Sequence, residues 1–164
     1  MAKGSIEAAT NNFDEALAIR RELAAIGFGR LGGMGDLSLA MIRCGDAANA
    51  RNETELRMKF YRGAFDIDQR SAAANPNDRM ALSNLGWSYE RLAVRMDSAD
   101  PARLDYFAHQ LEVFTRMNTL EATTDSEHGL NSGYANLALA RRLVGLPFSN
   151  EAPQRSNTAA PPSH

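Results

Sequence analysis

From Asn12 to Gly145 the apolar side chains return every three or four residues, and no stretch shows the alternation of a half-buried strand. The clearest case runs over 78–96, where Leu82, Leu85, Tyr89, Leu92 and Met96 follow one another at those steps. A period of 3.6 residues lines such side chains along one side of a helix, and the line must be covered. Five other segments obey the same rule. They are 12–26 with Phe13, Ala16, Leu17 and Ala24; 36–50 with Leu37, Met41, Cys44 and Ala48; and 52–75 with Leu56, Phe60, Ala64 and Ile67. Further on lie 101–120 with Leu104, Phe107, Leu111, Phe114 and Leu120, and 124–145 with Leu130, Tyr134, Leu137 and Val144. The chain is therefore predicted to be all-α, with about six helices.

The ends of these segments carry helix signals of their own. Asn12 with Glu15, and Asn52 with Glu55, have the spacing of a capping box, and Thr124 with Glu127 opens the last segment. Asp100 precedes Pro101, a cap followed by proline at the first helical position. Asn75-Pro76 should end the third segment, because the residue before proline avoids helical angles. Gly145 and Pro147 should close the sixth.

The stretch GFGRLGGMGD, 27–36, contains G-x-G-x-x-G at Gly27, Gly29 and Gly32. A dinucleotide site needs a strand running into those glycines and a helix N-terminus pointing at the pyrophosphate. Residues 12–26 read as helix instead. Glu53 stands about twenty residues on, where a ribose-binding acid belongs, but no second strand leads to it. The glycines are expected to end one helix and turn the chain into the next, which should begin near Asp36.

Composition removes several classes of function. Eighteen basic and twenty acidic residues give a formal charge of −2, with no basic field to draw nucleic acid or anionic lipid. Cys44 stands alone, so there is no internal disulfide and no cysteine cluster for zinc, which fits a reducing compartment. The first sixteen residues lack the apolar core of a secretory signal, and no apolar run is long enough to cross a bilayer. A cytoplasmic location is expected, with no membrane and no nucleic-acid partner. From 147 onward the sequence holds four of the six prolines and almost nothing able to pack, so 147–164 is expected to be a disordered tail, as 1–11 is expected to be a flexible N-terminus.

Six amphipathic helices can close into one bundle or lean on one another in a row, and internal repetition bears on the choice. FDEALAI from Phe13 returns as YRGAFDI from Tyr61 and, more loosely, as FAHQLEV from Phe107. NLGWSYERL from Asn84 is echoed by NSGYANLAL from Asn131. The unit is a helical hairpin of about 47 residues.

The segment ALSNLGWSYERL, 81–92, resembles the first helix of a tetratricopeptide repeat, with Leu82, Leu85, Gly86 and Tyr89 at the apolar, Leu-Gly and aromatic positions. Tyr61 with Ala64, and Phe13 with Ala16, look like the aromatic and small residues of the second helix, and AAANPND, 72–78, looks like the turn between repeats. The long second helix is similar to a bacterial variant of the family. The likeness covers roughly 12–146 and is strongest over 60–96. It departs from the pattern in lacking a helix before 12–26, in the glycine run at 27–35, and in Asn136 where an aromatic should sit. The resemblance implies an α-solenoid of antiparallel hairpins that serves as a protein-binding scaffold, with a concave groove lined by first helices.

On the helix 78–96, Trp87 lies about 200° around from Leu85 at ~100° per residue, away from the main stripe. Tyr134 is its counterpart one unit later. Together with Ser83, Glu90, Arg91 and Asn131, these two residues are the expected groove wall for a peptide or protein partner. In the competing reading, Met80, Trp87 and Val94 form a second buried stripe against the adjacent hairpin.

No catalytic, cofactor or metal-binding residue is expected. His109 and His128 fall on different helices and read as surface histidines, and Cys44 reads as a buried, inert thiol. Glu53 with Glu55, and Asp66 with Asp68, read as solvated helix charges. Two functions fit this pattern. One is a free-standing, non-enzymatic adaptor; the other is a regulatory or oligomerisation module of a larger signalling assembly such as an ATPase or protease. Self-association through the incomplete first repeat would cover Phe13, Leu17 and Ile19.

Overall fold

The computed structural model describes residue 18 and residues 32–147. Among these residues there are five helices and no strand: α1 Gly32–Ala50, α2 Thr54–Ala74, α3 Arg79–Ala93, α4 Ala102–Leu120 and α5 Thr124–Leu143. The segment 1–11, the helix expected over 12–26 apart from Ala18, the glycines Gly27 and Gly29, and the tail from 148 lie outside them. Ala18 is helical and exposed.

The caps show how locally each helix is set. Asp78 accepts hydrogen bonds from the amides of Met80, at 2.8 Å, and Ala81, at 3.2 Å, and so opens α3. Asp100 does the same for Ala102 at 2.9 Å, just ahead of α4. At α5 the capping box forms one residue earlier than the sequence spacing indicates, between Thr123 and Ser126. The Asn52–Glu55 box does not form: Asn52 takes the left-handed conformation, φ 59°, and Glu53 precedes α2 without a side-chain cap. Asparagine tolerates that conformation, and the tight turn it allows between α1 and α2 takes precedence over the cap. Gly145, φ 74°, closes α5, with the Leu146 amide bonded to the Arg141 carbonyl at 2.9 Å.

One boundary differs from expectation. α1 begins at Gly32, so Gly32, Gly33 and Gly35 are helical. Glycine costs a helix about 1 kcal/mol per residue relative to alanine, which local reasoning treats as a break. Here α1 packs along α2, and that tertiary contact outweighs the local preference.

Each helix packs on its neighbour in the chain, and α3 also touches α5. The apolar interior follows the same order as three adjoining clusters. Ala40 and Cys44 pack with Leu37, Met41 and Phe60 between α1 and α2. Ala72, Ala81, Leu82, Leu85, Phe114 and Met117 join α2, α3 and α4. Ala93, Phe107, Leu111, Leu137 and Ala140 join α3, α4 and α5.

Polar nodes tie the layers together. The Tyr61 hydroxyl on α2 donates to Asp46 of α1 at 2.7 Å, while Arg91 and Arg95 stand over its ring at 5.6 and 5.9 Å. Burial, then the Asp46 carboxylate, pushes the Tyr61 hydroxyl above its usual pKa, against the opposing pull of the two arginines. Asp68 is 1% exposed and accepts from Ser88 of α3 at 2.5 Å and from Ser38 of α1. This corrects the expectation of a solvated charge, which holds for Asp66 but not for Asp68. No local signal distinguishes the two, because the hydroxyls that satisfy Asp68 arrive from other helices.

Candidate functional site

Around α3, the side away from Leu82, Leu85 and Leu92 carries Met80, Ser83, Asn84, Trp87, Glu90, Arg91 and Val94. The structure gives these residues unequal roles. Met80 is 72% exposed and Val94 is exposed, so they form no buried stripe with Trp87, which corrects that reading. Trp87 is half-buried and packs edge-on against Phe114, 5.0 Å between ring centroids, and against His128 of α5 at 5.3 Å.

The other expected wall residues on α3 also bridge helices. Ser83 donates to Asp125 at 2.7 Å, at the start of α5. Glu90 accepts from the Gln110 amide at 2.6 Å and from Ser132 at 2.5 Å, linking α3, α4 and α5. Arg91 reaches back to Asp46 of α1 at 3.3 Å. Asn131 and Tyr134 are exposed on α5. The structure thus brings Ser83, Trp87 and Glu90 to the α3–α5 seam, sends Arg91 to the α1 side, and leaves Asn131 and Tyr134 facing solvent.

A cavity of about 330 Å³ opens one turn further toward the start of α3. Gly35, Asp36, Ser38, Leu39 and Ile42 of α1 form one wall, Met80, Ala81 and Asn84 of α3 with the capping Asp78 form the other, and Ser71 of α2 closes the end. Gly35 faces Asn84 across the opening: a Cβ at that position would lie 3.7 Å from the Asn84 amide nitrogen, an ordinary contact. Leu39, 48% exposed, and Met80 offer apolar surface at the rim, with Asp36 and the capping Asp78 beside it. Ser38 connects this wall to the buried Asp68 behind it. Burial raises the Asp68 pKa above its ordinary value, with Ser88, Ser38 and Arg91 pulling in the opposite sense.

Sequence reasoning did not select Asp36, Leu39, Ile42, Met80 or Asn84 for this wall. A signal for two of them existed: Met80 and Asn84 stand seven and three residues before Trp87, on the same side of α3. Leu39 stands two residues from the core-facing Leu37 on α1, as Trp87 stands two from Leu85 on α3.

His109 and His128 are exposed, on α4 and α5 respectively, and Cys44 is buried in the α1–α2 cluster. Among the described residues no three of His, Cys, Asp and Glu come close enough together to hold a metal ion, and no helix is long and apolar enough to cross a membrane. Neither protein-family models, nor curated proteins, nor solved structures give a match to this chain.

Proposed function

We propose that the chain is a non-enzymatic scaffold, a short solenoid of antiparallel hairpins similar to tetratricopeptide repeats, acting in the cytoplasm. It takes a peptide or protein segment along the side formed by α1, α3 and α5. Neighbour-on-neighbour packing with a further α3–α5 contact, and a core laid out as three adjoining clusters, support the stacked arrangement.

The single observation that carries the binding role is the cavity between α1 and α3 with Leu39 and Met80 exposed at its rim. An exposed methionine beside a cavity is adaptable apolar surface, of a kind used at peptide grooves.

The test is affinity capture from a bacterial lysate followed by mass spectrometry, with wild type against Met80→Arg. Met80 is exposed, so the substitution leaves the melting curve unchanged while it places a cation in the groove. Partners held by wild type and lost by the variant support the site; the same partners held equally by both place recognition elsewhere. Trp87, the one tryptophan of the chain, lies on the same side of α3 and reports titration of a captured partner by its emission.

A second reading, a regulatory or oligomerisation module of a larger signalling assembly, is favoured by one observation. α5 leaves Leu139 and Leu143 more than half exposed, at 52% each.

A further inference from the structure

We infer that Glu90 receives a basic side chain, arginine or lysine, from the bound segment, with the ring of Trp87 beside it. The inference rests on the peptide-groove reading given above and names the chemistry that the groove selects.

Glu90 stands three residues after Trp87 on α3, so the two side chains rise from the same side of the helix, about one turn apart. Both are half-buried at the seam with α5. The hydrogen bonds of this seam converge on the Glu90 carboxylate. Asn136 donates to the Ser132 hydroxyl at 3.3 Å, Ser132 donates to Glu90 Oε2 at 2.5 Å, and Gln110 Nε2 donates to the same oxygen at 2.6 Å. Every one of these donors is neutral, and the second carboxylate oxygen, Oε1, accepts no hydrogen bond.

Gln110 adds an independent observation. Its side chain is fully buried, its amide nitrogen is fixed on Glu90, and its own oxygen has no donor. Solvent does not reach that oxygen, so it touches no ligand and acts instead through its negative potential behind the carboxylate. A carboxylate removed from water is ordinarily paired with a cation. The cations nearby are committed elsewhere among the described residues. Arg91 turns to Asp46 at 3.3 Å, Arg95 stands over the Tyr61 ring at 5.9 Å, and His128 packs against Trp87 without an ion pair to Glu90. The seam is one cation short.

A guanidinium or ammonium from the partner fills that place. It donates to Glu90 Oε1 while its stem lies against Trp87, and the indole attracts a cation more strongly than any other aromatic side chain. A neutral donor satisfies the oxygen but leaves the charge unanswered, and an acidic side chain is repelled. The apolar rim at Leu39 and Met80 and the cation place at Glu90 then lie along one side of α3, at its two ends.

A positional-scanning library of N-acetylated, amidated hexapeptides lacking tryptophan, titrated into the full chain and followed by Trp87 emission, tests this. Pools with arginine or lysine fixed at one position should bind wild type at least about tenfold tighter than pools with glutamine fixed there, the size of one charged hydrogen bond. Glu90→Gln keeps an acceptor for Gln110 and Ser132 and should abolish that preference. Asn136→Arg, which supplies a cation from α5 with Glu90 intact, should abolish it as well. Asp66→Asn, which removes an exposed charge on α2, should keep it. Pools that bind wild type without preferring a base, a preference that survives Glu90→Gln, or its loss in Asp66→Asn overturns the inference and leaves the groove standing. Wild type that binds no pool overturns the inference and the peptide-groove reading together.

Discussion

Two glycines face the ring of Phe114, and of the two Gly129→Ala is the change that presses on it harder. Phe114 is fully buried between α3 and α5, where Gly86 and Gly129 face it from either side. A Cβ at Gly86 would lie 2.5 and 2.7 Å from ring carbons, against the ~3.5–4.0 Å of favourable carbon contacts, and a Cβ at Gly129 would lie closer still. Three ring atoms near the backbone end are involved at Gly129, so the ring cannot swing clear as the tip of a flexible chain would. Alanine gains about 1 kcal/mol over glycine in a helix interior, and overpacking costs about 1–3 kcal/mol. The overlap is severe enough that the upper part of that range applies, and the net expectation is a loss of about 1–2 kcal/mol. For a domain of this size that is a fall in Tm of roughly 2–8 °C.

Gly35→Ala is the contrasting case. Its Cβ meets only the Asn84 nitrogen at an ordinary 3.7 Å, so the helix preference should dominate and stability should rise by roughly 0.5–1 kcal/mol. Urea unfolding followed by far-ultraviolet circular dichroism and by Trp87 emission measures both, and Trp87 touches the Phe114 ring directly. Phe114→Leu in the Gly129→Ala background should recover part of the loss, since the two positions share one contact. Gly129→Ala at or above wild-type stability would refute the reasoning.

Two other outcomes follow from the buried polar groups. Glu90→Ala removes the acceptor of the fully buried Gln110 amide and should cost about 1–3 kcal/mol in chemical unfolding, whereas a loss below ~0.5 kcal/mol would show that the pair adds little. Asp68 has its folded pKa above the ordinary 3.8, so the folded chain keeps this proton at pH values where the unfolded chain has released it. The Asp68 contribution to stability therefore falls as pH rises from about 3.8 through the raised value, and is regained as pH falls back through it. Asp68→Asn should remove that dependence, so the stability difference between variant and wild type should grow with pH across the window; parallel curves would contradict it.

Much of the architecture is legible without coordinates. Leu82, Leu85 and Leu92 mark the buried side of α3, Asp78 and Asp100 stand where α3 and α4 begin, and Asn75-Pro76 ends α2. These are local facts: a 3.6-residue period and an unsatisfied amide at a helix end are properties of a few consecutive residues. The placement of Trp87 off the main stripe is local in the same way, although its cover comes from Phe114 and His128. Met80 was legible in angle but not in fate. A helical wheel carries no position along the axis, and the side chains that shelter Trp87 do not reach the first turn of α3, where Met80 stands.

The sequence by itself determined that the chain is helical, where four of its helices lie, and which side of most of them is apolar, because each of these depends on neighbours within a turn or two. Only the tertiary structure decided that Gly32–Gly35 continue a helix, that Asp68 is buried while Asp66 is not, that Glu90 and Ser83 bridge helices, and that a cavity opens between α1 and α3. The partners that set the buried charge and the bridges stand 20 to 42 residues away in the chain, as Ser88 does from Asp68 and Asp125 does from Ser83. A separation of that length leaves no trace in the spacing of nearby side chains.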